Sequence, residues 1–262
     1  MEESALLGIA AIIVGFVTAG LGIRFDRFFT LILLVTLAGI SIKDAVNITL
    51  WVILSGSAYV LFSNRGALSS MPKGRLAERL LTISMLTAVF SYIGSYIYSV
   101  AAPAILMLAL AALALLYGLR LVFIHFSKAE LNGAGNPAFE KFCSVFGPSI
   151  SGLSMGFIGT SLKPLKIPFA VRVGKLSMKS AYAGNVMTAF IAALFAIIWH
   201  STLFQEGQLA LELAYGLAFF IVAHAVYWLT SLKFRDEWRK VFQVAIGIIL
   251  AIVSVRLALF AL

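Results

Sequence analysis

Residues 156–171 read GFIGTSLKPLKIPFAV and set Lys163, Lys166, Thr160, Ser161 and two prolines into an otherwise apolar region. Neither Pro164 nor Pro168 can continue a preceding helix, but proline suits the first turn of a new one. A helix starting at about Ile167 would aim the positive end of its dipole at the break. Lys163 and Lys166 add full positive charge there, and a helix N-terminus with lysines makes an anion site. Thr160 and Ser161 can satisfy backbone groups freed at the break or cap the next helix. Gly156 and Gly159 let neighbouring helices approach closely. Near the start of the chain, Gly20, Gly22, Arg24 and Arg27 occupy a comparable stretch, GLGIRFDR. The donor fork of arginine suits planar or tetrahedral oxyanions.

Other polar groups fall inside or beside apolar runs. Asn47, Thr49 and Asn185 are candidate substrate contacts, although Asn and Thr in spans often only bond across helices. Asp26, Asp44 and Glu212 are the acids that could titrate near a membrane, as a proton-coupled carrier requires. Glu212 reads first as a solvated helix start. Arg120 and Arg256 lie close enough to span ends to snorkel. Tyr92, Tyr96 and Tyr98 read as an aromatic belt at an outer interface. One cysteine, Cys143, excludes an intrachain disulfide, and with three scattered histidines it makes no metal-ligand set. Each histidine reads first as a packed or interfacial residue. No cofactor is expected.

The elements that must hold these residues follow from composition. The 262 residues are 61% hydrophobic and 12% charged. Soluble domains carry about 25% charged residues, so this chain is expected to be an all-α polytopic membrane protein with the lipid bilayer as its solvent. The net charge of +9 lies in short loops, where it reports topology rather than a nucleic-acid partner. The acidic start, MEESALLG, lacks the basic region of a signal peptide. Six runs are long enough to cross: 44–63, 79–99, 101–125, 179–200, 208–231 and 238–261. Residues 4–40 and 142–176 each hold an apolar run, a charged break and a second run too short to cross comfortably. They read as broken or re-entrant helical hairpins, tolerated at membrane depth only where buried or lining a wet cavity. If they cross fully instead, the lysines and arginines lie in ordinary loops.

The two regions also match each other. ISIKDA at 40–45 resembles LSMKSA at 176–181, with Ser41 and Ser177 standing 136 residues apart. The expected organisation is a first membrane repeat over 1–126, a cytoplasmic linker over 127–141 and a second repeat over 142–262, all in one integral membrane domain. Lysine and arginine place the loops 64–79, 127–141, 175–179 and 232–240 in the cytoplasm and both termini outside. Each half then has a hairpin and three spans. An odd number of spans inverts the second copy, the architecture of many secondary transporters.

The pattern GFVTAGLGIRFDRFFTLILL…SIKDAVNITL and SGLSMGFIGTSLKPLKIPFAV…SMKSAYAGNV resembles the sulfite exporter family TauE/SafE, also called the domain-of-unknown-function 81 permeases, over essentially the whole chain. The resemblance implies a secondary carrier in the plasma membrane that moves small sulfur oxyanions or organosulfonates. A homodimer is one assembly open to it. An ion channel or a membrane scaffold is the alternative reading. A membrane enzyme is not expected, because the chain lacks HExxH, paired intramembrane aspartates and a Ser/His set on facing spans.

Overall fold

The structure is a computed structural model and describes residues 2–22, 28–63, 73–123, 137–163, 166–167, 171, 178–204, 209–234 and 236–261. Among the described residues the regular structure is all helical. Among these residues nine helices follow one another: α1 (Glu2–Gly20), α2 (Phe28–Thr36), α3 (Ile42–Ser63), α4 (Lys73–Val100), α5 (Pro103–Phe123), α6 (Pro137–Ile158), α7 (Met178–Phe204), α8 (Leu209–Ser231) and α9 (Asp236–Ala261).

Six of them are long and apolar enough to cross a membrane: Ile42–Ser63, Leu80–Val100, Pro103–Phe123, Ala181–Leu203, Leu209–Ser231 and Glu237–Ala261. The six expected spans are all present, and the chain is a multi-pass membrane protein. Several helices outrun their apolar runs. The helix α4 begins at Lys73 inside the expected loop 64–79, α6 at Pro137 inside the expected linker, and α9 at Asp236 inside the expected loop 232–240. Lys, Arg and Glu are good helix formers, so helix continues where hydropathy stops.

Local chemistry sets several boundaries. Ser41 caps α3: its Oγ accepts from the Asp44 amide at 3.2 Å and donates to Asp44 Oδ2 at 2.6 Å. Pro103 opens α5, where its missing N–H costs nothing. The apolar piece after the charged stretch at 24–27 is short, as expected. The nine residues of α2 reach about 14 Å, against a hydrocarbon core of about 30 Å.

By its contacts the chain divides into two compact units. The first comprises Met1–Val52, Ala101–Lys128 and Ala210–Leu262. In it, α5 and α9 pack at their glycines: a Cβ on Gly118 would stand 2.7 Å from the Gly247 carbonyl oxygen. Gln243 Nε2 donates to the Leu121 carbonyl at 3.0 Å across the same pair. The helix α1 lies on α8, where a Cβ on Gly15 would meet the Ala223 carbonyl at 2.5 Å. The helix α2 is held by Phe28 and Phe29, whose rings stand edge-on to Tyr117 at 5.2 and 5.7 Å.

The second unit comprises Ile53–Val100 and Ala129–Leu209. Here α4 and α6 meet along small residues. Gly94 faces the Leu153 carbonyl, and a Cβ on Gly152 would stand 2.8 Å from the Thr87 carbonyl. Such close approach replaces the hydrophobic drive that lipid cannot supply. The helix α7 completes the unit. Met187 and Ile191 bury Ile83, and Trp199 Nε1 donates to the Ala88 carbonyl at 3.1 Å. Each unit therefore draws segments from both halves of the chain.

Candidate functional site: the break after the sixth helix

The sixth helix stops because Gly159 takes φ +65°, a left-handed conformation that glycine adopts without penalty. The Gly159 amide still donates to the Met155 carbonyl at 3.0 Å, so the carbonyls after Met155 lose their helical partners. Thr160 and Ser161 follow in non-helical backbone and are buried. Leu162 then has φ +48°, rare for a residue with a Cβ. Such outliers concentrate where function over-determines the backbone. Lys163, Lys166 and Ile167 are already helical, and the Lys166 amide donates to the Leu162 carbonyl at 3.1 Å. The expected start at Ile167 is corrected to Lys163. Both lysines therefore sit on the first helical turn rather than ahead of it. Pro164 and Pro168 lie outside the described residues.

The break gathers its polar groups by folding back. The Lys166 ammonium donates to Ser151 Oγ on α6. The Lys163 ammonium stands 5.0 Å from the centre of the Tyr182 ring on α7, a cation–π contact. Asn185 lies one turn along α7 from Tyr182, on the same face. It is nine-tenths buried, and its Oδ1 has no hydrogen-bond partner among the described residues. Thr160, Ser161, Lys163, Lys166 and Asn185 thus fall in one unit.

The remaining candidates are elsewhere. Asn47 donates Nδ2 to Glu212 Oε1 at 2.8 Å, joining α3 to α8 in the first unit. Glu212 is thereby a bonded partner rather than a plain solvated helix start. Thr49 is buried and donates to the Ala45 carbonyl at 2.7 Å within its own helix. Arg24, Asp26 and Arg27 lie outside the described residues. Just ahead of them, Gly22 has φ +64° and ends the first helix. A Cβ there would stand 2.8 Å from Nη1 of Arg239 on α9.

Two residues at the second break were not among the site candidates drawn from the sequence. His200 is buried, and its Nε2 is 2.8 Å from the Gly156 carbonyl oxygen. Its ring stacks on Tyr98 at 4.3 Å with 12° between planes. Tyr98 is 2% exposed, whereas Tyr92 and Tyr96 are 44% and 55% exposed. The aromatic belt therefore loses Tyr98, which packs inward. Among the described residues no group of His, Cys, Asp and Glu could hold a metal ion.

Ammonium groups beside buried hydroxyls and an amide offer charge and hydrogen bonds to an anion held away from water. Comparisons with protein families, curated proteins and solved structures find no match.

Proposed function

We propose that the protein is a secondary transporter, working as an exporter in the plasma membrane, that carries small anions by alternating access, with sulfite or organosulfonates as the substrate class. The observation that carries this reading is the break itself. Lys163 and Lys166 are brought against Tyr182 and Ser151 beside buried Thr160 and Ser161. Ionisable groups at membrane depth are costly and mark substrate paths. The substrate class rests on the resemblance to the TauE/SafE family.

The transporter is an inverted repeat in this reading, and helix positions support the duplication. Ile42 and Met178 open α3 and α7, Lys73 and Leu209 open α4 and α8, and 178 − 42 and 209 − 73 are both 136. The packing partners of the two hairpins follow the same offset. Gly15 of α1 lies on Ala223 and Gly152 of α6 lies on Thr87, and 223 − 87 is again 136. Each broken hairpin thus packs on a span of the opposite half.

Cysteine labelling tests the reading. Lys163→Cys in a Cys143→Ser background should react slowly with a membrane-impermeant thiol reagent, and sulfite should slow it further. Fast labelling indifferent to sulfite would make the break an ordinary loop. Lys163→Ala, Lys166→Ala and Arg24→Ala should each raise the half-saturating anion concentration by about tenfold, the size of one lost charge-assisted contact. Unchanged transport in all three removes the break from the anion path.

A further inference from the structure

We infer that His200 is a positioning residue for the break, latching the open end of the sixth helix to the seventh. The inference deepens the transport reading, but its geometry stands without it. Gly156 lies in the last turn of α6, and the Thr160 amide four residues on lies past the helix end and makes no bond to its carbonyl. The position is sealed. A Cβ at Gly156 would collide with the Ser91 carbonyl, and would stand 2.8 Å from the Ser95 amide nitrogen and 3.0 Å from its Oγ. A buried carbonyl without a partner is costly, and His200 Nε2 supplies the partner at 2.8 Å.

The carbonyl can only accept, so Nε2 must carry the proton. Both the neutral Nε2–H tautomer and the imidazolium meet that demand. The ring is fixed from its face by Tyr98, stacked at 4.3 Å and fully packed. His200 is thereby held by α4 and holds α6, although it belongs to α7. The same helix meets the other side of the break through Tyr182, under the Lys163 ammonium. One helix therefore touches the break at both ends: a donated hydrogen where α6 stops, and a ring where the lysines begin. The latch keeps Gly159–Leu162 from rewinding into helix or from swinging out to water.

The test reads the break rather than transport. Thr160 is 4% exposed, and Thr160→Cys in a Cys143→Ser background reports its opening. Labelling of the purified full chain in detergent should be slow with His200 present. His200→Ala should speed it by about tenfold, as leaving one buried carbonyl unpaired implies. His200→Gln, which keeps a side-chain N–H donor, should return it to within about twofold of the parent. Parent-like labelling in His200→Ala overturns the latch. Equal acceleration in both variants also overturns it, because the packed ring and not the donated hydrogen would then hold the break. A parent that labels fast overturns it as well, since the break would then be open with His200 in place. Amide exchange of the 157–163 backbone gives a second readout: faster exchange in His200→Ala alone supports the latch, and no change counts against it. Sulfite is absent from both measurements, so failure of the anion reading leaves them interpretable.

Discussion

At the residue scale, backbone contact governs the second unit. Gly94 leaves no room between α4 and the Leu153 carbonyl, and the atoms in the way are backbone, which cannot rotate aside. Gly94→Ala should therefore destabilise the protein by about 1–3 kcal/mol, the usual cost of overpacking. Gly8 is the control, with nothing within 4 Å of an added Cβ. Gly8→Ala should be neutral or stabilising by up to about 1 kcal/mol, because alanine loses less entropy in a helix. Thermal unfolding in detergent separates the two, and equal midpoints would remove the tight seam. The sequence carries a trace of this seam that was not among the expectations. Thr87, Ser91 and Ser95 recur every four residues, as helical contact faces of small residues do. His200 was not legible. A lone histidine in an apolar run gives no sign of which carbonyl it serves, and Gly156 lies 44 residues away.

At the element scale, hydropathy located the six spans because the bilayer imposes a length of about 20 residues on each. The glycines with left-handed backbone just past α1 and α6, Gly22 and Gly159, stand where the apolar runs give way to polar and charged residues. The sequence reading misplaced the next helix start because Pro164 and Pro168 drew the boundary downstream to Ile167, whereas Lys163 is already helical. The proposed first hairpin offers a physical test of re-entry. Its second helix, α2, is too short to cross, yet six of its nine residues are buried. A short buried helix after a glycine stop fits a hairpin that turns at membrane depth. Leu21→Cys in a Cys143→Ser background should then label slowly from either side of the membrane. Rapid labelling from the cytoplasmic side would mean that α1 crosses fully and that the arginines after it lie in a loop.

At the scale of the whole molecule, partner choice was the least legible feature. Nothing in the apolar runs says that α1 takes α8, or that α6 takes α4, because lipid-facing and helix-facing leucines look alike. In the proposed duplication, a pairing in one half implies its counterpart at the same offset. Sidedness follows from charge and parity together. In the proposed arrangement, six crossing spans and two re-entrant hairpins return the chain to the side where it began. Lys233, Arg235, Arg239 and Lys240 lie between α8 and the apolar body of α9, and together they bias that turn toward the cytoplasm. The packing of Arg239 against Gly22 takes one of the four into the protein and leaves three to act on topology. In a bacterial inner membrane, a fluorescent reporter inserted after Lys233 should therefore mature in the cytoplasm. A phosphatase fused after Leu262 should be active on the opposite side. Exchange of both results would keep the parity and reverse the sidedness. Cytoplasmic signals from both sites would mean that α9 does not cross, and an inverted pair of three-span halves could not then be built from this chain.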